Sequence, residues 1–298
     1  MKKIKSKSSL ITKFKSLHTI EQVTLVLFFL FFVVEAIIHL YPFLWVINNS
    51  LKTTAEFADS TMAITKSWSF DNYLKSFSEL KGNGTVSYFN MLMNSVYQTA
   101  VYLVINLGSS MLVAYAITKF RFPGRNFLYG LMIFTQTIPI FGAGAASFKL
   151  LYSLNMVNNP TTIWLSWGMG FDYTAFIMYG TFMGVSNSYA ESASLDGANE
   201  FQIFGRIIFP QIFPVVLALM VTNFVGRWNN YGTSQVYLYD YPNLAYGLYT
   251  FEKASLYMEN AEGIYFAGLI VTALPGILIY TFSQNLIIKN ISVGGLKG

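Results

Sequence analysis

The sequence contains no cysteine, and histidine occurs only at His18 and His39. A disulfide framework, a thiolate metal site and a cysteine nucleophile are therefore excluded, and a histidine-based metal centre is nearly excluded. Charged residues are also scarce, at 11% of the chain, about half the share usual in soluble domains. Apolar residues make up 54%, more than a soluble fold can bury. The sequence therefore predicts an integral membrane protein.

Long apolar stretches predict where the chain crosses the membrane. A bilayer core of about 30 Å needs about 20 helical residues, and six stretches approach that length: 23–47, 89–117, 127–148, 161–184, 213–236 and 263–288. The expected fold is an all-α membrane protein, a bundle of six transmembrane helices with a short cytoplasmic helix. The first stretch is too long for a cleaved signal and lacks a small-residue cleavage site, so it is expected to be retained.

The distribution of charge predicts the orientation. Most basic residues fall in the tail 1–22, the loop 119–125, the loop 186–210 and the tail 289–298, which share one side if there are six spans. Most acidic residues fall on the other side, in 48–88 and 233–262. Because cytoplasmic loops retain Lys and Arg, both termini are expected in the cytoplasm, with the membrane domain spanning 23–288. The basic tail could bind anionic lipid or nucleic acid, but this effect accounts for it without either; membrane lipid is expected around the chain and nucleic acid is not.

The polar loop 186–210 has the pattern of a helical turn that contacts another protein. Ser188 followed by Glu191 predicts a capping box, and hence a short helix starting there. Gly197 predicts a chain reversal, since glycine takes positive φ without steric strain. A second helix is expected beyond it, lying against the bundle, because apolar residues recur at helical spacing. They are Phe201, Phe204, Ile207 and Ile208.

This loop resembles the hallmark of the inner-membrane permeases of binding-protein-dependent ABC importers. That hallmark is Glu-Ala-Ala, a glycine four residues on, nine further positions, then Ile-x-Leu-Pro. Here Glu-Ser-Ala at 191–193 is followed by Gly197 and by Ile-Ile-Phe-Pro at 207–210, with the full spacing. Ser192 and Phe209 depart from the pattern but keep the size class.

Shorter motifs resemble the carbohydrate importers of the maltose and oligosaccharide type. In chain order they are Asn-Ser-Leu-Lys at 49–52, Asn-Ser at 94–95, Ala-Tyr-Ala at 114–116, Phe-Arg-Phe-Pro-Gly-Arg at 120–125, Trp-Asn at 228–229 and Gly-Gly-Leu-Lys-Gly at 294–298. The resemblance implies the smaller, six-span partner of a permease pair in a bacterial inner membrane. It also implies an external sugar-binding protein and two cytoplasmic ATPases.

The resemblance assigns the loop 186–210 as the coupling helix that docks on an ATPase. The residues implied in that contact are Ala190, Glu191, Ser192, Ala193, Asp196, Gly197, Ile207 and Pro210. The chain has no phosphate-binding Gly-x-x-x-x-Gly-Lys-Ser/Thr loop, so ATP and Mg²⁺ are expected on the partner ATPase, with no cofactor or metal here. Glu191 either pairs with a basic group of the ATPase or completes the capping box. Asp196 either contacts the ATPase or caps the following helix.

Candidates for the sugar pathway combine aromatic faces with hydrogen-bonding groups. They are Trp228, Asn229, Asn230, Tyr231 and Asp172. Asp172 lies inside the fourth predicted span, where it either lines the pathway or caps a broken helix. The Tyr-rich stretch 237–249 is interpreted as membrane interface or docking surface. The identity and length of the sugar are not encoded in any of these patterns.

A stand-alone, ion-coupled secondary transporter is the alternative function. It would use intramembrane acids such as Glu35, which shares a helix face with His39, and Asp172. A solvated or mutually satisfied Glu35–His39 pair is the simpler interpretation. A membrane enzyme is a weaker third possibility, since no nucleophile, base and metal ligands occur together. Neither alternative needs the spacing between Glu191 and Pro210.

Overall fold

The computed structural model describes residues 17–138, 142, 144–168, 170–259 and 261–294, without the side chains of 283 and 285–294. Helices form most of this part of the chain. The tail motif at 295–298, Pro139 and residues 1–16 lie outside it. The helices are α1 (Thr19–Ser50), α2 (Thr54–Asp59), α3 (Asp71–Glu79), α4 (Tyr88–Lys119), α5 (Arg125–Thr137), α6 (Gly144–Ser153), α7 (Tyr173–Gly184), α8 (Asn187–Leu195), α9 (Glu200–Ile203), α10 (Phe209–Trp228), α11 (Gly232–Val236), α12 (Leu244–Ser255) and α13 (Glu262–Gly294).

Four helices in the described ranges are long and apolar enough to cross a membrane: Thr19–Ser50, Tyr88–Lys119, Glu200–Trp228 and Glu262–Phe282. They coincide with the first, second, fifth and sixth predicted spans. The fifth begins earlier than predicted and ends at Trp228, after which the chain turns into α11. The all-α membrane architecture is confirmed at this level, whereas the count of six stays a prediction.

The third and fourth predicted spans are not continuous helices. In place of 127–148 the chain forms α5 and α6, and Ile138 after α5 is extended. In place of 161–184 it forms a 3₁₀ turn at Ile163–Trp167 and then α7. Gly170 between them has φ +64°, and a Cβ there would lie 2.9 Å from the Ser109 carbonyl oxygen of α4. The chain leaves the helical conformation here, and the position suits glycine because a side chain would be strained at this φ and would collide with α4.

α4 is the central helix of the bundle, and α7, α10 and α12 pack around it. α13 packs against α10, α1 and α3. Two apolar clusters fill the contacts. One contains Phe182, Ile203, Ile208 and Ile212, and we call it the coupling-side cluster. The other contains Leu80, Met91, Trp228 and Leu244, toward the opposite end of the bundle.

Large apolar side chains are exposed over much of the outer surface. None of the most apolar 18-residue window of α1 is buried, and Phe29 and Phe32 are both more than half exposed. On a soluble protein such a surface would be an aggregation site, but it suits lipid or another membrane subunit. The Nδ1 atom of His39 lies 2.7 Å from the Glu35 backbone carbonyl oxygen and 3.5 Å from the Glu35 carboxylate, so the two side chains lie close together on this helix and both are exposed.

The short motifs at 49–52 and 94–95 hold loops in place. The Lys52 ammonium group is buried and donates to the Ser60 carbonyl oxygen at 2.7 Å. Nearby, the Ser67 hydroxyl and the Lys66 amide hold the pKa of Glu56 down, to about 2. On α4, the Asn94 amide donates to the Pro242 carbonyl oxygen at 2.9 Å. A side chain of α4 thus binds the backbone of the Tyr-rich stretch and ties it to the bundle.

Candidate functional site

The short helix of the predicted coupling loop is α8, and it starts differently from the predicted capping box. Ser186 is the N-cap, and its hydroxyl accepts from the Ser188 amide at 3.3 Å. The box predicted between Ser188 and Glu191 is wrong, because α8 begins two residues earlier than that pattern requires. Glu191 therefore has no role at the N-cap, and its side chain is exposed at the surface.

α8 ends in a Schellman motif centred on Gly197. The Ala198 amide donates to the Ala193 carbonyl oxygen at 3.0 Å, and the Gly197 amide donates to Ser194 at 3.1 Å. Gly197 has φ +84°, as the predicted reversal requires. The prediction that Asp196 caps the next helix is wrong. Asp196 is the C-cap residue of α8, and the cap of α9 is Asn199, which forms a capping box with Gln202.

Pro210 explains a widened turn at the start of α10. Proline has no amide hydrogen and its ring collides with the carbonyl four residues back, which disfavours an ordinary α-turn there. The chain instead forms a π-helical turn at Phe204–Ile208, in which the Phe209 amide donates to the Phe204 carbonyl oxygen. This turn connects α9 to α10, so the loop leads directly into a membrane-length helix.

One face of the loop is anchored to the bundle and the other is exposed. Ala193 and Ile203 are buried in the coupling-side cluster with Phe182 of α7. Lys119, the last residue of α4, donates to the Val185 carbonyl oxygen at 2.6 Å and to Asn187 Oδ1 at 2.8 Å. Ala190, Ile207 and Phe204 are partly buried against the same cluster.

The exposed face carries Leu195 and Phe201, each 90% exposed, together with Glu191, Ser192 and Pro210. The prediction that Phe201 lies against the bundle is therefore wrong. Its position at the first turn of α9 points it away from Ile203, which takes the buried position. Large apolar side chains this exposed beside a polar helix are typical of a protein contact surface.

Asp172 caps the broken fourth stretch. Its Oδ1 accepts from the Ala175 amide at 3.1 Å and from the Ser110 hydroxyl at 3.1 Å, and its Oδ2 accepts from the Asn106 amide at 2.7 Å. The capping interpretation is thus confirmed by the geometry. A pathway role for Asp172 stays a prediction.

Trp228 lies in the packed interior. It is 4% exposed, its ring stacks on Phe224 with centroids 5.4 Å apart, and its Nε1 donates to the Thr272 carbonyl oxygen at 3.0 Å. Its ring thus packs on a neighbouring side chain, and its polar atom is bound to the backbone of another helix. The structure thus gives Trp228 a packing role, and its role in the sugar pathway stays a prediction.

The other predicted pathway residues lie where α10 ends. Asn229 is exposed and donates only to the Val225 carbonyl oxygen of its own helix. Asn230 Oδ1 accepts from the Thr233 amide and hydroxyl. Tyr231 stacks on Tyr249 at 4.5 Å and is 42% exposed. Asn229, Asn230 and Tyr231 thus cluster at one end of the bundle, with part of their surface accessible.

Sequence analysis missed Arg227, which lies at the centre of this region. Its guanidinium carbon is 4.1 Å from the Trp167 ring centroid and 5.0 Å from that of Tyr102, and its Nη1 donates to the Thr233 hydroxyl at 2.9 Å. A lone arginine inside an apolar stretch is a signal that could have identified it. Its aromatic partners, however, come from residues far apart in the chain.

Comparison with known proteins assigns the family. The family model described as "Binding-protein-dependent transport system inner membrane component" matches residues 88–293. The chain belongs to this family. Its members are the permease subunits of ABC importers, and ATP hydrolysis is carried out by a partner ATPase rather than by the permease. The predicted identity as an ABC permease is confirmed.

Relatives over most of the chain are permeases named for oligosaccharides. The diacetylchitobiose uptake system permease protein NgcG of Streptomyces coelicolor is 28% identical, over 88% of this chain and 85% of its own. The arabinooligosaccharides transport system permease protein AraQ of Bacillus subtilis is 27% identical, over 90% and 94%. The maltodextrin transport system permease protein MalD of Streptococcus pneumoniae is 28% identical, over 91% and 94%. The resemblance to carbohydrate importers is confirmed.

The fold matches a solved ABC importer. A chain in the crystal structure of a bacterial ABC transporter involved in the import of the acidic polysaccharide alginate aligns with a TM-score of 0.74 and 21% identity, covering 90% of this chain and 98% of that one. A second structure, of the alginate ABC transporter in complex with an alginate pentasaccharide-bound periplasmic protein, aligns with a TM-score of 0.62. At these identities the likeness establishes the fold.

Proposed function

We propose that this chain forms half of the pathway of an ATP-driven oligosaccharide importer and docks a cytoplasmic ATPase through residues 186–210. The observation that carries the proposal is the two-faced geometry of α8. Its buried face is built into the coupling-side cluster, and its outer face exposes Glu191, Leu195 and, just beyond, Phe201. The permeases of diacetylchitobiose, arabinooligosaccharides and maltodextrin uptake support an oligosaccharide as substrate.

The same contacts suggest how ATPase closure moves the spans. A push on α8 is transmitted to α7 through the contact of Ala193 with the cluster containing Phe182, and to α10 through the π-turn before Pro210. Lys119 ties the start of α8 to the end of α4. Because packed clusters transmit displacement rather than absorb it, α8 and the spans should move together. Alternating access then follows from the rocking of α7 and α10 against a partner.

The remaining partners follow from the surfaces that the chain leaves uncovered. The apolar surface of α1 suits lipid and a second, different permease subunit, with which the pathway would be completed. The segment between α1 and α4 would face outward and receive an external sugar-binding protein. ATP and Mg²⁺ would be bound by the ATPase dimer. In this orientation both termini lie in the cytoplasm.

Substitution of Gly197 tests the docking. A non-glycine residue at this positive φ costs roughly 1–2 kcal/mol, and a bulky side chain would also enter the ATPase contact. No atom lies within 4 Å of a Cβ added at Gly197, so the chain itself should still fold. We expect Gly197→Leu to insert normally but to lose most ATPase co-purification and binding-protein-stimulated ATP hydrolysis. Gly197→Asn should be milder, since Asn tolerates this conformation.

Gly124→Leu is the matched control. Gly124 has φ +90° and an equally open Cβ position, but it lies in the other cytoplasmic loop, before α5. It carries the same backbone strain without touching α8, so it should keep the ATPase. Full stimulation and sugar uptake in Gly197→Leu would refute docking through this loop. Equal losses in both variants would assign the effect to folding.

A further inference from the structure

Arg227 is a cation that lacks an acidic partner in the described part of the chain. The ion pair found there within 4.0 Å joins His39 to Glu35, on another helix. The Nη2 group of Arg227 is buried and donates to no acceptor among the described residues, while Nη1 donates to the neutral Thr233 hydroxyl. A partly buried guanidinium without an acidic partner within 4.0 Å is stabilised by an anion that approaches it.

Asp172, the acidic residue of this region, already accepts hydrogen bonds from other groups. Both Asp172 oxygens accept hydrogen bonds, from the Asn106 amide, the Ser110 hydroxyl and the Ala175 amide. These donors hold the carboxylate at the start of α7. Asp172 therefore stabilises the positive end of its own helix, and among the described residues it forms no salt bridge with Arg227 within 4.0 Å.

Two aromatic rings hold the guanidinium in a defined place. The Trp167 ring lies 4.1 Å away and the Tyr102 ring 5.0 Å away. Cation–π contacts stabilise the charge by about 0.5–2 kcal/mol, far less than a paired carboxylate in the same surroundings. They orient the group but accept no hydrogen bond, so the Nη2 donor has no acceptor among the described residues.

Arg227 lines two cavities at once. One, of about 400 Å³, is also lined by Trp167 and by the hydroxyls of Ser147, Ser166 and Thr233. The other, of about 210 Å³, is lined by Tyr102, Tyr173, Asn223 and Asn230. The two cavities together place hydroxyls, amides and aromatic faces around the Arg227 cation, and these are the groups expected of a site for a charged sugar. In the predicted orientation Arg227 lies about 27 Å from the start of α10, toward the outside.

We propose that the Arg227 guanidinium binds the carboxylate of an acidic sugar as the oligosaccharide passes, so that the importer accepts uronic-acid-containing chains. The inference rests on the importer function proposed above and adds the substrate class. A planar guanidinium matches a carboxylate through two parallel hydrogen bonds, and one N–H group is here left without an acceptor. The other occupant that fits the charge is a carboxylate of the second permease, which the experiment separates.

The test uses the whole importer, with both permeases and the ATPases, reconstituted in nanodiscs. Equilibrium binding of a 1,4-linked galacturonic acid trimer is compared by calorimetry with binding of the galactose trimer of the same linkage, in which each carboxylate is replaced by a hydroxymethyl group. The intact complex should bind the acidic trimer more tightly, by on the order of tenfold to a hundredfold. Arg227→Gln should remove this preference, and Arg227→Lys should keep part of it. Arg121→Gln, at an exposed cytoplasmic arginine, should leave it unchanged.

Three results would overturn the proposal. One is an absence of preference for the acidic trimer in the unaltered complex, including the case in which neither trimer binds. Another is a preference that survives in Arg227→Gln. The third is that the Arg227→Gln complex loses the second permease, while the Arg227→Lys complex keeps the second permease but shows no preference for the acidic trimer. That result would assign Arg227 to an ion pair between the two permeases. In each case ATPase co-purification and stimulated hydrolysis by the unaltered complex would still support the importer function.

Discussion

Replacement of Asp172 by alanine should destabilise the membrane domain strongly. The substitution removes the N-cap of α7, an effect of about 1 kcal/mol. It also leaves the Ser110 hydroxyl and the Asn106 amide, both buried, without their charged acceptor. An unsatisfied buried group costs about 1–3 kcal/mol, but members of one network do not add fully. We expect a loss of about 3 kcal/mol in total.

Asp172→Asn should be much milder for a specific geometric reason. The asparagine oxygen can keep the Ala175 amide and the Ser110 hydroxyl, while its new amide group faces the Asn106 amide. Asn106 Oδ1 is buried without a hydrogen-bond partner among the described residues. Turning the Asn106 amide over would present that oxygen to the new donor and restore the pair. The expected loss is then about 1 kcal/mol.

The assay is thermal unfolding of the purified complex, where each kcal/mol corresponds to a shift of roughly 2–4 °C. Ser87→Ala is the control, because Ser87 caps α4 through one exposed hydrogen bond of 3.4 Å and holds no second partner across the bundle. It should shift the midpoint less than Asp172→Ala. The reasoning fails if Asp172→Ala unfolds at the wild-type temperature, or if Asp172→Asn is as damaging as Asp172→Ala.

Two further predictions concern packing and orientation. Trp228→Ala should lower the free energy of unfolding by about 3–5 kcal/mol, because contacts with Phe224 are lost. Trp228→Phe keeps the ring stack and loses only the hydrogen bond to Thr272, so it should cost about 1 kcal/mol. If the alanine variant were normally stable but selectively defective in sugar uptake, Trp228 would belong to the pathway rather than to the packing. Because the chain is free of cysteine, Lys75→Cys should react with an impermeant thiol reagent in intact cells and Lys3→Cys should not. The reverse labelling pattern would overturn the topology.

Local patterns predicted the features that depend on neighbouring residues. The reversal at Gly197 was predictable because it depends on the conformational freedom of that one residue, and the structure has φ +84° there. The N-cap of α8 was misplaced because Ser186 and Ser188 are chemically equal candidates two residues apart. The choice depends on where α7 ends and how Lys119 holds Val185.

The candidate pathway was predicted only in part. All four residues from Trp228 to Tyr231 were chosen by residue type. The sequence does not distinguish a buried tryptophan such as Trp228 from an exposed one. Its burial depends on Thr272, 44 residues away, and on the packing of α13. Arg227 was overlooked because its significance arises from Trp167 and Tyr102, which no spacing rule connects to it.

Composition and hydropathy alone establish that this chain is a helical membrane protein, and the motif from Glu191 to Pro210 assigns its family, because both are properties of the linear order of residues. The broken third and fourth stretches, the commitment of Asp172 to its helix and the unpaired Arg227 come only from the packed bundle. They depend on which side chains meet across helices, as Asn106 and Asp172 do at 66 residues apart in the chain. A local pattern carries no information about such contacts, since they form only when the helices pack.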